Sequence, residues 1–123
     1  MPLDVLIVDD SAAIRKILQR VLKQAEIPLG QVHEASDGLE ALDKLKSEKV
    51  SLVLADINMP NMDGLQLLSQ IKACAEWKEL PVVMVTTEGG QSKVMEAVRL
   101  GAAGYVRKPF TADQIHRTLS DLI

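Results

Sequence analysis

An alternation of two hydrophobic periods does most to limit what this chain can fold into. Short apolar runs stand at Val5–Val8, Leu52–Ala55, Val82–Val85 and around Tyr105 and Val106, with a more polar run at Val32–Ala35. Between and after them apolar residues return at helical spacing: Ile14, Ile17, Val21 and Ala25; Leu39, Leu42 and Leu45; Leu65, Leu68, Ile71 and Ala75; Val94, Val98 and Leu100; Ile115, Leu119 and Leu122. The runs read as strands and the periodic segments as helices. Five strands, each followed by a helix, predict an α/β protein with an open parallel sheet covered by helices on both faces. The uniformly apolar strands 1, 3 and 4 belong inside such a sheet, and the mixed run Val32–Ala35 suits an edge.

Local punctuation agrees with these boundaries. Asp37 precedes Glu40, Asp63 precedes Gln66 and Thr111 precedes Gln114 at capping-box spacing, and Gly101 is placed to end the fourth helix. The βα unit returns about every 25 residues, a common length for such units. No linker or low-complexity stretch interrupts it. With 123 residues, 47% of them hydrophobic, the chain has the size of one domain with a real core, so residues 1–123 are expected to form a single domain with one site.

Charge and hydropathy exclude several classes of function. A net charge of −3, with basic residues spread along the chain, leaves no electrostatic footprint for nucleic acid. No apolar run approaches the ~20 residues needed to cross a bilayer. The amino terminus lacks a charged-then-apolar signal pattern. The expectation is a cytoplasmic protein without nucleic-acid or membrane partners. Cys74, the single cysteine, excludes an internal disulfide and reads as a packing residue of the third helix beside Leu67, Ile71 and Ala75.

In doubly wound sheets the site lies beyond the carboxyl ends of the strands where strand order reverses, and the flavodoxin-like order 2-1-3-4-5 puts that point between strands 1 and 3. Strand 1 ends in Asp9 and Asp10, and strand 3 ends in Asp56. Three carboxylates so placed repel one another unless a cation neutralises them, so the cluster reads as a metal site. All-oxygen donors suit Mg²⁺ or Mn²⁺, with waters completing a roughly octahedral shell. A calcium loop is excluded: Asp56-x-Asn58 imitates the start of an EF-hand, but Pro60 and Asn61 break its pattern and Leu67 stands where the bidentate glutamate belongs. Thr86 after Val82–Val85 and Lys108 after Tyr105–Arg107 add a hydroxyl and an ammonium to the same rim. These are the parts needed to move a phosphoryl group onto an aspartate. The carboxylate attacks in line, the metal and Lys108 offset charge on the phosphoryl oxygens, and Thr86 hydrogen-bonds one of them.

With LIVDDS, ADINMPNMDG, VVMVTTE and GAAGYVRKPF in that order and at fitting separations, the chain strongly resembles the receiver domain of bacterial two-component response regulators. The likeness runs from Val5 to the last helix and is nearest to the single-domain chemotaxis type. It implies Asp56 as phosphoacceptor, Asp10 and Asp56 as direct metal ligands, Asp9 as a ligand through water, and the backbone carbonyl of Asn58 as a further ligand. It makes Thr86 the switch hydroxyl, Lys108 the phosphate partner and Tyr105 the aromatic switch, which turns from an exposed to a buried rotamer as Thr86 is drawn toward the phosphoryl group. The face built by helix 4, strand 5 and helix 5 then changes shape, and a partner reads the population shift. The Lys108–Pro109 peptide is expected to be cis. The resemblance also implies a histidine kinase as phosphodonor, a target such as a flagellar motor switch protein, room for a partner phosphatase, and a monomer. Such a protein is a signalling phosphoacceptor that promotes only its own phosphorylation and dephosphorylation.

Some positions bear on rate. Asn58 and Glu88, two residues beyond Asp56 and Thr86, are the pair that in this family tunes access of hydrolytic water; both are polar, which points to a short-lived phosphoryl group. Thr87 is bulkier than the Ala or Gly often found there and opposes that expectation. Ile57 stands where a tryptophan would flank the acceptor, and Trp77 falls in a later connection. Gly89 and Gly90 are expected to leave the loop before helix 4 mobile. His33 and His116 read as surface or packing residues, and Met59, Met62 and Met84 as soft space fillers near the site.

Other classes fit less well. A small phosphatase of the haloacid dehalogenase kind would carry D-x-D on the first strand and a cap domain, and this chain has neither. A flavodoxin-like electron carrier is disfavoured by the acidic loop after strand 1. Within the receiver class, a stand-alone phosphorelay intermediate, a phosphate sink, or a receiver cut from a longer regulator remain alternatives to motor control.

Overall fold

The structure is a computed structural model that describes residues 2–87, 91–120 and 122. Its elements are β1 (Leu3–Val8), α1 (Ala12–Gln24), β2 (Leu29–Ala35), α2 (Gly38–Ser47), β3 (Leu52–Ala55), α3 (Gly64–Ala73), β4 (Val82–Thr86), α4 (Gln91–Arg99), β5 (Gly104–Arg107) and α5 (Ala112–Ser120). The strands form one sheet in the order β2-β1-β3-β4-β5, with every pairing parallel. This is the flavodoxin-like arrangement expected from the alternation of periods. β2 starts at Leu29, earlier than the apolar run, because its pairing with β1 begins at Leu3 opposite Leu29. Gly30 and Gln31 in this added stretch are exposed, as an edge strand allows.

Alternation along each strand divides the core into two layers. Val5 and Ile7 of β1, Leu52 and Leu54 of β3, and Val83 and Val85 of β4 pack with Leu18 and Leu22 of α1 and Ile115 and Leu119 of α5. Leu6, Val8, Val53, Ala55, Val82 and Met84 pack on the opposite side with Ala41 and Leu45 of α2, Leu67, Leu68 and Ile71 of α3, and Ala97 of α4. The central strands β1, β3 and β4 are thus covered on both faces, which is why their sequences read as continuous apolar runs. Among the described residues no helix is long and apolar enough to cross a membrane.

The helix ends refine the sequence reading. Asp63 and Gln66 form a complete capping box at α3, and Thr111 and Gln114 exchange the same pair of bonds before α5. At α2 only half the box forms. The Glu40 N–H donates to Asp37 Oδ1 at 2.9 Å, while Glu40 Oε2 accepts from the Ser36 hydroxyl. Gly101 ends α4 with φ +101°, and the Gly101 and Ala102 N–H groups donate to the Val98 and Ala97 carbonyls, the paired bonds of a Schellman motif. Glu26 takes the equivalent left-handed position after α1, with φ 62°. Cys74 is a correction: α3 ends at Ala73, so Cys74 is its half-buried C-cap, and Ala75 is exposed. Trp77 does fall in the following connection, where it packs partly buried against the core.

Candidate functional site

The strand ladder itself delivers the acids. Val8 pairs with Ala55, so the residues that follow them, Asp9 and Asp56, leave the sheet side by side. Backbone bonds continue one residue past the strands: the Asp56 N–H donates to the Val8 carbonyl at 3.0 Å, and the Asp9 N–H donates to the Ala35 carbonyl at 3.0 Å. Across the sheet Thr86 pairs with Arg107. The Lys108 N–H donates to the Thr86 carbonyl at 2.8 Å, which starts the lysine from the same rim.

The side chains then meet. Lys108 Nζ lies 2.7 Å from Asp9 Oδ2 and 3.3 Å from Asp56 Oδ2. All three are largely sequestered, with side-chain exposures of 12% for Lys108, 3% for Asp9 and 10% for Asp56. Buried charges persist only when paired and hydrogen-bonded, and the remaining oxygens are accounted for. Asp9 Oδ1 accepts from the Ser11 N–H at 2.9 Å, and Asp56 Oδ1 accepts from the Ile57 N–H at 2.7 Å. Ser11 caps α1, its hydroxyl accepting from the Ile14 N–H at 3.3 Å.

Asp10 is exposed at the mouth. One oxygen from each of Asp9, Asp10 and Asp56 lies within 4.8 Å of the others, comparable with the ~4.2 Å that separates opposite ligands of an octahedral Mg²⁺. The donor set is hard oxygen throughout, so these residues fit a divalent cation of the magnesium class.

Thr86 is fully buried at the end of β4, and Thr87 beside it is exposed. Asn58 is exposed on the β3–α3 loop. Tyr105 is half-buried and packs against the layer that holds α2, α3 and α4. The Lys108–Pro109 peptide is cis, as expected. Glu88, Gly89 and Gly90 lie outside the described residues. His33 sits 3.9 Å from Glu48 and His116 is exposed on α5, both away from the acids.

Residues 5–120 match the family model for the response regulator receiver domain. The chain belongs to that family. This receiver domain is 39% identical to a chemotaxis protein CheY homologue of Campylobacter jejuni over 96% of its own length and 90% of the relative's. It is similar to the solved chemotaxis response regulator CheY4 of Vibrio cholerae, with a TM-score of 0.86 and 32% identity over 100% of both chains. The Mn²⁺-bound form of response regulator Rcp1 superposes with a TM-score of 0.80 at 29% identity, over 98% of this receiver and 91% of that chain. Receiver domains are signalling proteins whose family binds Mg²⁺ in an acidic pocket.

Three neighbours of the receiver's acids carry no motif of their own. Arg15 donates from Nη1 to the Asp9 carbonyl and from Nε to Glu34 Oε1 at 2.8 Å. Asn61, with φ 65°, donates from Nδ2 to Asp37 Oδ2 at 2.7 Å and so ties the β3–α3 loop to the start of α2. The Gly38 N–H adds a bond to the Met62 carbonyl at 3.2 Å. Gly64 lies against the Asp56 carbonyl. Only Asn61 had a local signal, since Asn is among the few residues that tolerate a left-handed turn.

Proposed function

We propose that residues 1–123 form one receiver domain that accepts a phosphoryl group on Asp56 from a histidine kinase in a Mg²⁺-dependent reaction. The observation that carries this reading is the single ammonium of Lys108 held between Asp9 and Asp56, with Asp10 beside them. An aspartate at a strand end, half-neutralised and with one oxygen fixed by the Ile57 N–H, is an oriented nucleophile. An Asp56 oxygen attacks phosphorus in line, the bond to the donor breaks, and the donor leaves with that electron pair. Lys108 moves with the charge, from the carboxylates onto an oxygen of the transferred group. When bound through Asp10, Asp56, the Asn58 carbonyl and, by way of water, Asp9, Mg²⁺ (or Mn²⁺, as the Rcp1 structure encourages) offsets the charge that the phosphoryl oxygens carry.

The output follows from burial. The Thr86 hydroxyl, one strand away from Asp56, is drawn toward the new anion, and Tyr105 follows into the space it leaves. The α4-β5-α5 face then changes its fit to a target. That face suits a partner: Met95 and Val98 of α4 are 55% and 63% exposed, and a groove of about 370 Å³ lined by Tyr105, Arg107, Gln114 and Arg117 runs between β5 and α5. The chemotaxis relatives point to flagellar motor control, with a motor switch protein as target and a phosphatase able to end the signal. Asn58, Thr87 and Glu88 set the lifetime, and the protein works as a cytoplasmic monomer.

The test is incubation with Mg²⁺ and a small acyl-phosphate donor, followed by intact mass over time. One added phosphoryl group is expected, absent from Asp56→Asn and from a chelated sample. No uptake by protein shown independently to bind Mg²⁺ would overturn the small-donor chemistry.

A further inference from the structure

We infer that Arg15 is a positioning residue of the acidic site, holding the β1–α1 turn in the shape from which Asp9 and Asp10 present their carboxylates to a divalent cation; the inference rests on the metal-binding part of the proposed function. Arg15 stands in the first turn of α1 and its side chain is only 16% exposed. Its guanidinium bridges two elements, donating from Nη1 to the Asp9 carbonyl and from Nε to Glu34 Oε1 of β2 at 2.8 Å. A planar guanidinium anchored at two points has little freedom left, so the Asp9 carbonyl is held in one direction.

That carbonyl belongs to the peptide that joins Asp9 to Asp10. Fixing its plane fixes the direction in which the chain leaves for Asp10, which is exposed and owes its aim to its backbone. The rest of Asp9 is already held, its N–H by the Ala35 carbonyl and its two carboxylate oxygens by the Ser11 N–H and Lys108. Arg15 completes the set. Electrostatics alone would argue against a guanidinium here, because a cation beside an acidic site repels a dication. Glu34 resolves the conflict by pairing with Arg15. The pair is neutral, and what it contributes is direction.

The sign of the effect makes this testable. Removing a nearby cation should tighten Mg²⁺ binding if charge is all that matters, whereas removing a positioning group should weaken it. Mg²⁺ is titrated by calorimetry into the unphosphorylated full chain as wild type, Arg15→Ala and Arg15→Lys. Amide exchange of Ser11, whose N–H is bound to Asp9 Oδ1, is measured without metal. Arg15→Ala is expected to lose about tenfold or more in Mg²⁺ affinity, the usual scale for groups that orient metal ligands. Arg15→Lys keeps the charge but not the fork, so it should lose a comparable amount. In both variants the Ser11 amide should exchange faster relative to amides elsewhere in α1, which a general loosening of the α1–β2 contact would not single out. Should Arg15→Ala fail to fold, Arg15→Lys carries the same test. Unchanged or tighter binding by the folded variants, with wild type binding normally, overturns the role of Arg15 alone. A wild type that does not bind Mg²⁺ overturns the metal assignment and this inference with it.

Discussion

Gly64, the first residue of α3, is where the fold presses hardest on Asp56, and replacing it with alanine should be felt in both stability and chemistry. A Cβ at this position would lie 2.0 Å from the Asp56 carbonyl oxygen, 2.8 Å from the carbonyl carbon and 2.8 Å from Met84 Cε. Ordinary contact begins at 3.4 Å, so the oxygen and the new methyl must part by about 1.4 Å (3.4 − 2.0). Neither partner can rotate aside. The Asp56 N–H is bonded to the Val8 carbonyl at 3.0 Å, and the Gly64 N–H is bonded to the Ile57 carbonyl at 2.8 Å. The required movement is close to the ~1.5 Å rise of one helical residue. α3 cannot slide that far cheaply, because Leu67, Leu68 and Ile71 are 0% exposed and Leu65 5%. A gap of ~0.5–1 Å already forfeits a quarter to a half of a dispersion contact. Spread over those buried side chains, the cost should reach about 3 kcal/mol, at the upper end of ordinary overpacking.

Urea unfolding in chelator, beside acyl-phosphate uptake by the folded protein, measures both consequences. Gly64→Ala should lose about 3 kcal/mol and take up phosphate more slowly, since the strain falls on Asp56 itself. Gly101→Ala is the control. There the nearest atoms are Lys72 side-chain carbons from 3.4 Å outward and the φ is +101°, so the cost is conformational, about 1–2 kcal/mol, and uptake should not change. A loss below about 1 kcal/mol for Gly64→Ala, with normal uptake, would refute the claim that this contact holds the acceptor in place.

Further outcomes follow from other contacts. Hydrogen bonds from the Glu40 backbone and the Asn61 side chain hold the Asp37 carboxyl below the usual aspartate range. A depressed carboxylate adds stability above its unfolded pKa and loses it as pH falls through its folded value, so Asp37→Asn should flatten the acid limb of stability against pH. At neutral pH the asparagine cap should match wild type within about 0.5 kcal/mol, with urea melts across the acid range as the check. Glu26→Gly relieves a left-handed φ of 62°; the ~1–2 kcal/mol relieved exceeds the ~0.5–1 kcal/mol of glycine entropy, and a melt should show a net gain of about 0.5 kcal/mol. Mg²⁺ at a hundredfold excess over its dissociation constant should raise stability by about 2.7 kcal/mol. An equal rise in Asp10→Asn would contradict the ligand assignment.

The sequence by itself determined the alternation of strands and helices, because hydrophobic periodicity is a local property written in neighbouring residues. It also determined which chemical groups reach the rim, since Asp9, Asp10, Asp56, Thr86 and Lys108 follow directly on strand ends. Its local rules were weaker where two partners compete: Glu40 was free to choose Ser36 over the α2 cap, and α3 stopped before Cys74. Only the tertiary structure decided that Lys108 sits closer to Asp9 than to Asp56, that Arg15 reaches back to the Asp9 carbonyl, and that Gly64 is pressed onto Asp56. Those facts depend on distances between groups as far as 99 and 52 residues apart in the chain. No local pattern encodes them; sheet register and helix packing do.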